Sequence, residues 1–144
     1  MSKSRWVAQA ALFGSGVLLG TLLRSGAAVQ AQPDHRVFEI RTYTTPEGKL
    51  PALNARFRDH TVRLFQRHGM ISVGYWTPQD EPLARNTLIY ILAHPDRDAA
   101  KRNWDAFRKD PDWQKALADS ERDGKLTTKI DSVYLDPTDY SAIR

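Results

Sequence analysis

The chain contains no cysteine. Disulfides, thiolate-bound metals and a cysteine nucleophile are therefore excluded. Its four histidines form no His-Glu-x-x-His motif, so no metal site is expected. No glycine-rich phosphate loop and no nucleophile elbow occurs, nor any repeat or low-complexity tract. Acidic residues are missing from one region only: residues 1–31 hold Lys3, Arg5 and Arg24 and no acid. The formal charge of +4 and pI near 9.5 suggest a nucleic-acid partner at first sight. Setting those three cations aside leaves 18 basic residues against 17 acidic ones, from 21 and 17 in the whole chain. The remainder is nearly neutral with its signs interspersed, which argues against a phosphate-tracking surface. No nucleic-acid partner is expected.

What is present divides cleanly. Two early cations precede an apolar run over 6–23, lightened by Gly14, Gly16 and Gly20 and followed by small residues. That order is an export signal over 1–31, with cleavage expected after Ala31 and Ala28 as second choice. The alternative is an uncleaved inner-membrane anchor, since 18 residues at about 1.5 Å each nearly span a hydrocarbon core. Gln9 and the small-residue ending favour cleavage. The mature chain is then periplasmic or secreted, with no membrane contact beyond the signal segment. A linker over 32–36, one domain over 37–138 and a tail over 139–144 follow.

Period-two alternation predicts strands over 37–44 and 70–76. The nearly all-apolar stretch 87–94 predicts a third, central strand. A stripe at three- and four-residue spacing, from Leu50 through Phe57 to Phe65, predicts a helix over 49–68 that ends at Gly69. Asp96 and Asp110 are natural N-caps for helices over 97–109 and from Pro111 onward. The last strand is expected over 126–135. The order is βαββαβ, an α+β ferredoxin-like plan with a four-stranded antiparallel sheet and both helices on one face. The uncovered face calls for a second copy, so a homodimer is expected. In the first strand Phe38 and Ile40 are expected to hold the helices. Glu39, Arg41 and Tyr43 would then face the shared interior of the dimer.

Four motifs in order, E-I-R-T-Y-T-T-P-E-G-K-L (39–50), R-H-G-M (67–70), V-G-Y-W (73–76) and D-P-D-W (110–113), resemble the NIPSNAP family. The resemblance covers residues 37 to about 138. It implies a dimeric α+β barrel and no agreed reaction. Mitochondrial animal members are linked to mitophagy and vesicular transport, from which the export signal here departs. Other families of this fold are monooxygenases, haem-dependent enzymes and small-molecule isomerases or cyclases.

The candidate ligand-binding residues are Glu39, Arg41, Tyr43, Tyr75, Trp76, Tyr90 and His94. A carboxylate beside a guanidinium leaves donors for an anionic or carbonyl ligand, or else it merely fixes the register of an interface. Tyr75, Trp76 and Tyr90 suit an apolar or aromatic ligand, or ordinary interface packing. His94 is a candidate acid or base at the end of a strand. His68 and His60 read as packing and helix-end residues, and Trp104, Phe107 and Trp113 as core. No cofactor is implied by the residues, and haem enters by fold analogy alone. Three functions remain open: a binding protein holding a small, partly apolar molecule in the barrel interior; an enzyme acting by proton transfer or cofactor-free oxygenation; or a structural module.

Overall fold

Val37–Thr44 forms β1, as its alternation requires, in a computed structural model that describes residues 36–144. The expected signal segment and its cleavage point lie outside the described residues. After β1 come α1 (Leu50–Arg56), a π turn (Phe57–Thr61) and α2 (Val62–Arg67), which run on as one helix. Strands β2 (Ile71–Trp76) and β3 (Thr87–His94) follow. Helices α3 (Arg97–Lys109) and α4 (Pro111–Ser120) lead into β4 (Lys129–Leu135). The sheet order is β2-β3-β1-β4, antiparallel throughout. This is the expected ferredoxin-like α+β fold, with β1 and β3 central. None of the described helices is long and apolar enough to cross a membrane.

The π turn has a sequence cause. Leu53, Phe57, Thr61 and Phe65 are four residues apart and all buried. On an α-helix each four-residue step overshoots a turn by about 40°, so the stripe would drift off the sheet. The wider turn removes part of that drift, and the Thr61 hydroxyl donates back to the Arg56 carbonyl at 3.2 Å. At the other helices, the Asp96 side chain accepts from the Ala99 N–H at 2.6 Å, and Asp110 accepts from the Asp112 N–H at 2.8 Å with Pro111 behind it. Both expected caps form.

The two faces of β1 are the reverse of the expectation. Tyr43 and Tyr90 pack beneath Phe57 and Phe65 in the core, and Glu39 is 1% exposed under α3. The Glu39, Arg41 and Tyr43 face therefore meets the helices. Phe38 and Ile40 lie on the open face, in register with Leu135 and with Ile91 and Val133. Alternation tells two faces apart but does not say which one the helices cover. Here the polar face is satisfied by partners brought from distant elements. The tail after β4 turns back over one end of the open face. Phe38, Val73 and Ile91 line a groove of about 330 Å³ there, with Pro137 and Ile143 on its other side.

Candidate functional site

Glu39 is the centre of a buried network built from four elements. Its Oε1 accepts from Arg41 at 2.7 Å and from the Ser132 hydroxyl of β4 at 2.6 Å. Its Oε2 accepts from the Trp104 indole N–H of α3 at 2.7 Å and from His94 Nε2 of β3 at 3.1 Å. Strand pairing dictates this convergence: Glu39 stands opposite Leu92 on one side and Tyr134 on the other, two residues from His94 and Ser132. Burial acts to raise the Glu39 carboxyl, but hydrogen bonds from His94, Ser132, Trp104 and Arg41 outweigh it and lower it from 4.5 to about 2. Glu39 is thus a fixed anion whose lone pairs are all engaged.

Arg41 is held between this anion and an aromatic wall. Its guanidinium carbon lies 4.3 Å from the Trp104 ring centroid and 5.7 Å from that of Tyr43. The side chain is 15% exposed, and its Nε is buried with no hydrogen-bond partner among the described residues. Its exposed part borders a cleft of about 410 Å³ between α3 and the β4 edge. Arg97, Lys101 and Arg108 line the cleft from α3, and Ser132 and Tyr134 from β4. The Arg97 guanidinium stacks on the Tyr134 ring at 3.6 Å.

The balance of charge around the cleft is uneven. Glu39 neutralises Arg41, and Asp105 pairs with Arg108 at 2.8 Å. Arg97 and Lys101 have no ion-pair partner among the described residues, and Asp98 is the remaining acid in the lining. One positive charge is left over. Arg97 also occupies the first turn of α3, where a cation opposes the helix dipole by about 0.3–1 kcal/mol. Helix stability does not explain its position.

Of the seven residues expected at a site, Glu39 and Arg41 reach the cleft. His94 does not: it is fully buried behind Glu39. A carboxylate accepts only, so His94 Nε2 carries the shared proton and Nδ1 is buried with no partner among the described residues. Tyr43, Tyr75 and Tyr90 belong to the core beneath the helices rather than to an interior between copies. Tyr90 donates to the Tyr43 hydroxyl at 3.0 Å and stacks on Tyr75 at 5.6 Å. Trp76 alone is on the open face, 49% exposed and close against Gly74, where a Cβ would stand 2.6 Å from the indole. A register shift between Ser72 and Gly74 in β2 also turns Ser72 to the helix side, where it bonds the Tyr75 hydroxyl at 2.6 Å. His68 caps its helix end against Asp110 at 2.6 Å, and His60 is exposed. The residues missed from sequence are Arg97, Lys101, Arg108, Ser132 and Tyr134. The readable signal was a cation in the first turn of α3, with Lys101 one turn on.

Comparison with known proteins fits this architecture. The family model described as NIPSNAP matches residues 38–142. A NIPSNAP family protein of unknown function from Agrobacterium tumefaciens is 24% identical, with a TM-score of 0.67 over 78% of this chain and 97% of that one. A NIPSNAP-like domain protein from Burkholderia xenovorans is 17% identical, with a TM-score of 0.66 over 76% of this chain and 90% of the other. SnoaB, a cofactor-independent oxygenase from Streptomyces nogalater, is 15% identical, with a TM-score of 0.50 over 76% and 99%. At these identities the likeness is one of fold. No curated protein matches the sequence.

Proposed function

The chain belongs to the NIPSNAP family, and from that premise we propose that it is a binding protein whose cleft between α3 and β4 takes a small, partly apolar monoanion. The observation that carries this reading is the pair Arg97 and Lys101, which line one cleft with Arg41 and have no ion-pair partner among the described residues. Like charges one helical turn apart repel by about 0.2–0.5 kcal/mol, and a bound anion would offset that cost. The excess of one charge suits a single anionic group. Trp104 and Tyr134 supply the apolar walls.

Binding suits these groups better than proton transfer. A general base needs a free lone pair in contact with the substrate. Glu39 has given all of its own to donors, and His94 lies behind it.

The reading includes a homodimer joined through the open sheet face and export of the mature chain. Support for the dimer is the exposed apolar set on that face: Val133 at 54%, Ile71 at 51% and Trp76 at 49%. Support for export is the N-terminal order of cations, apolar run and small residues. A mature N-terminus at residue 32, measured by mass spectrometry, is the expected outcome, and one at residue 1 or 2 would remove export by cleavage.

Calorimetric titration of the purified protein with hexanoate tests the cleft. Saturable binding of one anion per chain is expected, weakened about tenfold by Lys101→Met, the usual cost of losing one charged partner. No binding by the wild type, or equal binding by Lys101→Met, would refute the reading.

A further inference from the structure

The tail after β4 and the open face of the sheet form two facing apolar walls. Phe38, Val73, Ile91 and Leu135, one from each strand, make the first wall, and Pro137 and Ile143 of the tail make the second. About 330 Å³ lies between them, at the lower end of the range for small-molecule pockets. The groove crosses four strands, a length of about 14 Å at the usual spacing. Val73 reaches it through the bulge in β2, which inserts this residue between Ser72, opposite Leu92, and Gly74, opposite Ile91.

Two properties set the groove apart from bare sheet. The first is that the tail keeps its own shape. Among the described residues, every hydrogen bond of 138–144 stays within the tail. The Ser141 N–H donates to the Thr138 carbonyl at 3.0 Å, the Ser141 hydroxyl to the Ile143 carbonyl at 2.7 Å, and Arg144 Nε to the Ser141 carbonyl at 3.1 Å. The tail thus stands off the sheet as a formed wall, with Leu135 40% and Ile143 55% exposed across the gap. The second is charge. Among the described residues the lining holds one charged side chain, Asp136, and no cation. An anion would be repelled there, whereas a neutral apolar molecule would cover both walls without desolvating a charge. We propose that this groove is a second ligand site, for a neutral apolar small molecule, and that the C-terminal tail is its outer wall. The proposal does not rest on anion binding in the cleft between α3 and β4.

The test is fluorescence titration of the purified protein with N-phenyl-1-naphthylamine, a neutral fluorophore that brightens in apolar surroundings. Saturable binding of one molecule per chain is expected, with no displacement by saturating hexanoate. Ile143→Ser alters a half-exposed side chain and should weaken binding about fivefold, and a chain ending at Asp136 should weaken it about tenfold. The truncation separates a site from an adhesive surface, because removing the tail uncovers more of the apolar face. Fluorophore binding by the truncated chain that equals or exceeds that of the full chain would overturn the proposal, and so would displacement by hexanoate. Should the truncated chain lose its circular dichroism, Ile143→Ser decides alone, and unchanged binding by that variant overturns the proposal. If Ile143→Ser leaves fluorophore binding unchanged while turning a dimer into a monomer in sedimentation, the occupant of the groove is a second copy instead.

Discussion

The Trp104 indole N–H donates to Glu39 Oε2 at 2.7 Å, joining α3 to the central strand β1 through a charge that is 1% exposed. A buried carboxylate with four donors is a fixed point for every element that supplies one. Helix α3, strand β3 and strand β4 are all located by it. The cleft inherits that rigidity, because Arg41 and Ser132 border it and are bonded to Glu39.

Acid should release this point. Glu39 titrates at about 2 in the fold against an ordinary 4.5, so folding favours its ionised form. The resulting stability, on the order of 3 kcal/mol, is fully present above about pH 4.5 and is lost as pH falls toward 2. Glu39→Gln lacks the titrating group and should be destabilised at neutral pH. In urea unfolding, the difference between wild type and variant should shrink by more than half between pH 6 and pH 3. A constant difference would mean that the network does not hold Glu39 ionised.

The paired tyrosines make a second, independent prediction. Burial pushes the Tyr90 phenol well up, so it remains a neutral donor to Tyr43 at 3.0 Å. Tyr90→Phe removes that donor with little change in shape and should cost about 1 kcal/mol. A double-mutant cycle with Tyr43→Phe should show coupling, because the two hydroxyls serve each other. Additive losses would place their contributions elsewhere.

Gly69 closes the first long helix with φ at +71°, a conformation that L side chains rarely adopt. A Cβ there would also stand 3.3 Å from Asn103 Nδ2. Gly69→Ala should therefore destabilise by about 1–2 kcal/mol in urea unfolding. Gly48→Ala has the same kind of φ and open space around it, so it should cost less.

Much of the architecture was legible because it depends on local rules. Alternation gave β1, the apolar run of β3 gave a central strand, and Asp96 and Asp110 capped the helices they precede. The site was less legible because its satisfaction is remote. Glu39 finds Trp104 65 residues away and Ser132 93 residues away. Nothing near β1 in sequence says that a carboxylate there will be fully bonded. Without that knowledge, pattern logic sends Phe38 and Ile40 to the helices and the charges to the shared interior of a dimer. Arg97 and Lys101 look like ordinary solvated cations until Tyr134 is folded beside them.

The inverted face alters the dimer argument without removing it. The surface left for a second copy is the one carrying Ile40, Val133 and Trp76, and Val133 is more than half exposed in the single chain. A charge at such a position changes the stability of one chain by no more than about 0.5 kcal/mol. Placed against an apolar partner it would be desolvated without a counter-charge, and pairing should fail. Val133→Lys should therefore leave the circular dichroism and unfolding midpoint of dilute protein unchanged while converting a dimeric sedimentation coefficient to a monomeric one. If the wild type already sediments as a monomer at micromolar concentration, this face is not a self-association surface. If Val133→Lys remains dimeric, two copies meet through a different face.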